Sequence, residues 1–269
     1  MSIDWYPGHM VKARRDAAET MAKTDVVIEV LDARVPRASL NPLVETLRLK
    51  HQRPALKILN KADIADTART KLWLAHYNAM PGVKAIAVSS KKQGDVVRIP
   101  NECAALIEGT RTRPARLMIL GIPNVGKSTL MNALLKKHVA NVGDEPAITK
   151  GQMRHQLPNG MTLTDTPGML WPGVEQDAAY KLASTGSIGR NAYDEIEVAE
   201  YLGVYLRAEY PAMLKKRYGD LPEEQITAGI ARVRSFVLKG GVPDLEKAAL
   251  TLLNDFRSAT LGAITLEIP

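Results

Sequence analysis

The chain has 269 residues, 45% of them hydrophobic, and its 36 lysines and arginines exceed its 29 acidic residues to give a net charge of +7. That size suits one sizeable domain with a smaller second one. A single cysteine, Cys103, excludes an internal disulfide; no run approaches 18 apolar residues and the N-terminus lacks an apolar signal core, so a cytoplasmic protein with no membrane partner is expected. The charge is uneven, with 25 basic against 16 acidic residues over 1–175 and 11 against 13 over 176–269. A basic surface suits a polyanion such as RNA, although solvated charged faces are common in any protein.

In chain order, Trp5, Tyr6 and a Pro7-Gly8 turn lead to His9. Ala13, Ala17 and Met21 then recur four apart, which predicts a helix over 10–23. A buried strand is expected over 26–31, followed by a break at Asp32-Ala33-Arg34-Val35-Pro36 and a short helix over 42–49. The second strand, 55–59, ends in Asn60-Lys61-Ala62-Asp63, the N-K-x-D pattern of guanine-nucleotide proteins. Its chemistry is base discrimination. Guanine offers N1–H and an exocyclic amino group on one edge, and the Asp63 carboxylate can accept both, whereas adenine has no such donor pair. Asn60 and Lys61 would fix the loop and cover the base; a plain helix N-cap by Asn60 or Asp63 is the alternative. A strand over 85–88 ends in Ser89-Ser90-Lys91, similar to the S-A-K loop whose backbone N–H groups meet the guanine O6. A helix is expected over 96–107.

The next strand, 117–120, runs into Gly121-Ile122-Pro123-Asn124-Val125-Gly126-Lys127-Ser128-Thr129, a phosphate-binding loop that opens into a helix as its mechanism requires. Glycines let backbone N–H groups, those of Val125 and Gly126 among them, curl around phosphate oxygens. Lys127 reaches the β- and γ-phosphates and Ser128 can ligate Mg²⁺. This loop alone does not choose between ATP and GTP. A polar loop over 142–151 holds Thr149, the candidate switch threonine for Mg²⁺ and the γ-phosphate. Strands over 152–157 and 161–164 flank an Asn159-Gly160 turn, and the second leads into Asp165-Thr166-Pro167-Gly168, a D-x-x-G motif. There Asp165 faces Mg²⁺ and the Gly168 amide faces the γ-phosphate.

From 176 onward the pattern is helical. Stripes at Ile196, Ala199, Leu202 and Leu206, at Ile226, Ile230, Val233 and Val237, and at Leu245, Ala249, Leu252, Leu253 and Phe256 predict a small bundle with those residues in its core. The basic clusters Lys215-Lys216-Arg217 and Arg232, Arg234 and Lys239 are its candidates for RNA contact. The expected architecture is thus α/β over 1–175, a doubly wound, mostly parallel six-stranded sheet, followed by an all-α bundle over 176–269.

The order of the motifs is unusual, because the guanine motifs precede the phosphate loop and the switches. The domain is therefore circularly permuted, which is permissible where domain ends lie together at the surface. If the ordinary GTPase sheet is kept, the strands lie in the order 3-2-1-4-6-5, the fifth antiparallel, with the ligand at the switch point between strands 1 and 4. With the opening Trp5-Tyr6-Pro7-Gly8-His9-Met10 and the closing Leu261-Gly262-Ala263-Ile264-Thr265-Leu266-Glu267, the whole chain resembles the circularly permuted ribosome-assembly GTPases of the ribosome biogenesis GTPase A family. Two departures are local: Ala147 stands where that family often has glycine, and Ser89-Ser90-Lys91 varies the S-A-K loop.

The resemblance implies a monomeric, Mg²⁺-dependent GTPase that turns GTP into GDP and binds a large ribosomal subunit precursor and its rRNA. A nucleotide-gated RNA-binding module with little hydrolysis of its own and a tRNA-related GTPase are the alternatives. It also implies that Asn124 is a ligand for K⁺, against the alternative of a side chain that braces the loop. Catalysis is expected to involve Lys127, Thr149 and His9. Met169 and Leu170 follow the D-x-x-G motif and cannot orient water, whereas the helix over 10–23 that follows His9 should start near the nucleotide edge of the sheet. A histidine that only hydrogen-bonds the Pro7-Gly8 turn remains the other reading.

Overall fold

Strand β1 (Val26–Asp32) is buried along its whole length, and so is β2 (Ala55–Asn60) beside it. The computed structural model describes residues 9–107, 109, 113–136, 153–166, 168, 170, 171, 173–221 and 225–269, without the side chains of residues 9–14. Strands β3 (Val83–Ala87), β4 (Arg116–Leu120), β5 (Met153–Gln156) and β6 (Thr162–Asp165) complete a sheet in the order β3-β2-β1-β4-β6-β5. Every neighbouring pair is parallel except β5 with β6, as the motif order predicts.

Strands β1, β2 and β4 read as nearly continuous apolar runs because helices cover both faces, whereas the edge strand β5 is polar and mostly exposed. Val26, Ile28, Val30, Leu56, Ile58, Leu117 and Ile119 face one core, shared with Cys103 of α5 (Ile99–Ala105) and Leu130 of α6 (Lys127–Leu135). Val27, Leu31, Leu59, Met118 and Leu120 face the other, against Met21 of α1 (His9–Ala22), Val44 of α2 (Pro42–Lys50) and Trp73 of α3 (Thr67–Asn78). Since β1, β2, β3, β4 and β6 run in one direction, Asp32, Asn60, Ser89, Gly121 and Asp165 all emerge at one edge of the sheet.

Helix α3 has no counterpart in the sequence reading. Only Thr70, Trp73 and Tyr77 of its twelve residues are buried, too sparse a stripe to register; Asp66 starts the helix by accepting from the N–H groups of Ala68 and Arg69. The single helix expected over 96–107 is two, α4 (Gln93–Val97) and α5, broken at Arg98 because Pro100 supplies no N–H to continue the ladder.

The remaining helices are α7 (Gln176–Thr185), α8 (Glu195–Glu209), α9 (Pro211–Tyr218), α10 (Ile226–Val233) and α11 (Leu245–Arg257), with α11 packed on α7, α8 and α10. Gly203 lets α8 and α10 approach, since a Cβ there would lie 2.6 Å from Ile226 side-chain atoms. In the first and third apolar stripes Ala199, Leu202, Leu206, Ala249, Leu252, Leu253 and Phe256 lie in the core as expected, whereas Ile196 and Leu245 are only half-buried. The second is half wrong, with Val233 and Val237 more than half-exposed or at the half-way mark, 50% and 62%. Helix α10 ends at Val233, Ser235 takes a left-handed φ of 54°, and the chain enters a hairpin bridged at Val237 and Pro243. The basic clusters are also partly committed within the bundle. Arg217 donates to both oxygens of Asp255, Lys215 pairs with Asp220, and Arg234 lies over the Tyr218 ring.

One ion pair is sealed inside the sheet. Glu29 and Lys57 are register partners on β1 and β2, both essentially without exposure, and Lys57 Nζ donates to Glu29 Oε2 at 2.5 Å. The other Glu29 oxygen accepts from the Asn41 N–H that starts α2. Removing one member leaves a buried charge uncompensated, so Lys57→Met should lower unfolding free energy by about 3–5 kcal/mol in urea titrations. Adding Glu29→Gln, which still accepts from Asn41, should restore at least half of that loss.

Candidate nucleotide-binding site

The loop between β4 and α6 is shaped by two left-handed residues, Asn124 (φ 60°) and Gly126 (φ 92°). Gly126 has a second constraint: a Cβ there would sit 2.3 Å from Asn60 Nδ2, so only glycine lets the loop close onto β2. Asn60 is fully buried at the end of β2. Its Nδ2 donates to the Val125 carbonyl at 2.8 Å, and its Oδ1 accepts from the Ser90 N–H at 3.1 Å. One carboxamide therefore joins the N-K-x-D loop, the Ser89-Ser90-Lys91 loop and the phosphate loop, a task that needs a donor and an acceptor on the same side chain.

Lys61, itself left-handed at φ 60°, crosses the same gap. Its Nζ donates to the Asn124 carbonyl at 2.6 Å and to Asp32 Oδ2 at 2.9 Å. Asp32, which the sequence presents only as the start of a break after β1, is a functional residue of this site. It is wholly buried and also receives Nε and Nη2 of Arg34 at 2.9 and 2.7 Å. Burial pushes its carboxyl up, but the charges of Arg34 and Lys61 outweigh that and hold it far below the usual carboxylate range. The signal was present in an acid at a strand end two residues before an arginine, though nothing in sequence tied it to Lys61.

Asp63 lies exposed on the short 3₁₀ turn Ala62–Ile64, which the Ala62 N–H anchors on the Val88 carbonyl. The Ser89 N–H donates to Asp95, and Lys91 is exposed. On the phosphate side, Lys127 opens α6 with its Nζ 3.5 Å from Asp165 Oδ1, and both side chains are buried. Burial pushes the Lys127 ammonium down and the Asp165 carboxyl up, each opposed by the attraction of the other. Asp165 Oδ1 has no hydrogen-bond partner among the described residues. Such an orphaned buried oxygen beside a lysine, with Ser128 following in the same helix turn, is a donor set suited to a phosphate-bound Mg²⁺. Thr166 Oγ1 donates to the Ile119 carbonyl, and Gly168 lies against Pro123, so the D-x-x-G segment is held on the phosphate loop.

Asn124 reaches a different partner, donating Nδ2 to the carbonyl of Gly186 at the end of α7, 2.8 Å away. The phosphate loop thus touches the helical region directly. His9 is the first residue of α1, and its side chain lies outside the described part. Thr149 lies outside the described residues, as do Trp5, Tyr6, Pro7, Gly8, Pro167 and Met169.

Replacing Asn60 by alanine would leave the Val125 carbonyl and the Ser90 N–H unpaired at once. The expected outcome is a loss of about 2–4 kcal/mol in urea unfolding together with much faster dissociation of a fluorescent guanine nucleotide in stopped flow.

A family model described as 50S ribosome-binding GTPase matches residues 116–217, from β4 through the D-x-x-G segment into the helical region. The guanine-base motifs lie ahead of that span because of the permutation. Ribosome biogenesis GTPase A of Bacillus cereus is 38% identical over the full chain and 95% of its own length. Among solved structures, the GDP-bound structure of TM YlqF superposes with a TM-score of 0.72 at 26% identity, covering 94% of this chain and 98% of that one. The GNP-bound YlqF from T. maritima gives 0.68 at 27% identity, with 96% and 98% covered. Identity at this level over the whole chain and 95% of that Bacillus cereus relative, with a fold that superposes on those structures nearly end to end, places the chain in the ribosome biogenesis GTPase A family of GTPases.

Proposed function

We propose that this GTPase assists assembly of the large ribosomal subunit, binding its precursor in a nucleotide-dependent way. The observation that carries the reading is the junction of Asn124 with Gly186, a hydrogen bond between the phosphate loop of the candidate nucleotide site and the helical region. The relatives' names point to the ribosome, and the basic excess over residues 1–175 suits an rRNA partner. In this division residues 1–175 form the GTPase domain and residues 176–269 the particle-binding one. Lys216, Arg232 and Lys239, exposed on the bundle, are the candidates there for phosphate contact.

In the proposed site Asp63 accepts the two guanine donors, Asn60 and Lys61 hold the base loop against the phosphate loop, and the Ser89-Ser90-Lys91 backbone meets O6. The N–H groups from Val125 to Thr129 and the Lys127 ammonium hold the phosphates, and Ser128, Thr149 and Asp165 form the Mg²⁺ site. Mg²⁺, when bound, neutralises charge that develops on the phosphates. Its fit rests on the orphaned Asp165 oxygen. Asn124 is proposed as a K⁺ ligand through its oxygen while its Nδ2 braces the phosphate loop on Gly186. Leu170 is buried and cannot orient water, which supports slow unassisted turnover, about 10⁻³ s⁻¹ or below. His9 is proposed to orient or deprotonate the attacking water on the particle. Supporting that, α1 runs into β1 through only residues 23–25, so its first turn lies toward the edge where β1 ends.

Single-turnover GTP hydrolysis measured with and without purified large-subunit particles tests the reading, and co-sedimentation with GTP or GDP tests the coupling. Particles should accelerate hydrolysis strongly and should be retained by the GTP form only. His9→Ala should keep nucleotide affinity and lose at least tenfold of the stimulated rate; an undiminished rate removes His9 from the mechanism. Replacing K⁺ by Na⁺ should slow turnover, and equal rates in the two salts would exclude the Asn124 cation.

A further inference from the structure

The closing segment of the chain has no part in the function described so far, yet it is buried against the guanine loop. Ile264, Thr265 and Leu266 are each at most 1% exposed. The Leu266 N–H donates to the Arg34 carbonyl at 2.7 Å, and the Ile264 N–H to the Ile64 carbonyl at 3.3 Å, one residue beyond Asp63. Thr265 spans both loops by itself. Its hydroxyl donates to the Ala33 carbonyl at 3.1 Å and accepts from the Asp66 N–H, also at 3.1 Å.

Asp63 gives this geometry its consequence. Its side chain is exposed, so no packing sets its position; the backbone of the loop does. That backbone has fixed points on either side. Upstream, Asn60, Lys61 and Ala62 are tied to the phosphate loop and to Val88. Downstream, the Ile64 carbonyl and the Asp66 N–H are tied to the chain's last residues. The helical region holds those residues in turn. The Tyr210 hydroxyl, between α8 and α9, accepts from the Thr265 N–H at 3.2 Å and donates to the Thr265 carbonyl at 3.0 Å. Arg69 Nη1 donates to the same carbonyl at 2.9 Å while stacking on the Tyr210 ring.

We propose that Thr265 is a positioning residue of the guanine site, through which the C-terminal segment and the helical region behind it set guanine affinity and discrimination. The proposal rests on Asp63 as the acceptor for guanine. By thermodynamic reciprocity, a partner that shifts the helical region away from Tyr210 and Thr265 loosens the base loop, and a bound guanine resists that shift. The bonds described for Thr265 reach Ala33, Asp66, Arg69 and Tyr210 and none of them the phosphate loop, so the coupling is read chiefly through the base.

The experiment compares GDP with inosine diphosphate, which lacks the exocyclic amino group, by displacement of a fluorescent nucleotide from the full-length protein. Thr265→Val keeps the shape and removes the hydroxyl. GDP affinity should fall about tenfold, the scale of one lost hydrogen bond, whereas inosine diphosphate affinity falls less than threefold, so the ratio between them shrinks. Thr265→Ser should restore the ratio. A general loss of folded protein would lower both affinities equally and leave the ratio unchanged. Should Thr265→Val fail to fold, Tyr210→Phe, which removes the hydroxyl that meets both Thr265 and the Asp66 carboxylate, reads the brace from the helical side and should also shrink the ratio. Asp63→Asn separates the two layers. If it abolishes the preference for GDP while the Thr265 and Tyr210 variants keep the unmodified ratio, the positioning role is overturned and the Asp63 reading stands. If Asp63→Asn itself keeps the ratio, both are overturned.

Discussion

The site depends on the carboxamide of Asn60. Three loops that are far apart in sequence meet at this group, and it satisfies one from its nitrogen and another from its oxygen while the third carries it. An aspartate would lose the donor and a leucine both functions, and the buried Val125 carbonyl and Ser90 N–H would then face no partner. The glycine at 126 is the other half of the same constraint, because the carboxamide occupies the space that any side chain there would need. Base recognition and phosphate recognition are thus one packing unit.

Around that unit the protein places charge where an apolar core would be cheaper. Asp32 with Arg34 and Lys61, and Glu29 with Lys57, take four of these five ions almost wholly out of water. Buried pairs of this kind add little net stability compared with well-packed apolar side chains. What they contribute here is position. Asp32 aims the Lys61 ammonium at the phosphate loop, and Glu29 anchors the N–H that starts α2. The Arg34 guanidinium also lies over the ring of Phe256, so the charged cluster extends from the nucleotide edge to helix α11.

The sheet, its strand order and the ligand-bearing edge were legible in the sequence because phosphate and guanine demand particular residues at strand ends, and two buried faces make the central strands mostly apolar. Elements whose stability comes from tertiary contact were not. Helix α3 buries Thr70, Trp73 and Tyr77 among polar neighbours, which no apolar period reveals. Val237 fits a helical period but lies past a left-handed Ser235, a backbone event without a sequence marker. Asp32 looked like the residue after a strand, since its meaning depends on Lys61 arriving from 29 positions away. Thr265 is silent in the same way; its partners are Ala33 and Asp66, about 200 residues earlier.

Those separations have a consequence for the order in which the protein can form as it is synthesised. The strands β1, β2 and β3 and the base loop leave the ribosome before the phosphate loop, so Asn60 has no Val125 carbonyl to meet until that loop follows, and Ile64 and Asp66 wait longer still for residues 264 and 265. Long-range closures of this kind are formed late, because the entropy of the intervening chain must be overcome before the contact can contribute. The guanine loop is made well before the residues that brace its downstream side, so a nascent chain acquires its full base site only once residues 264 and 265 have emerged.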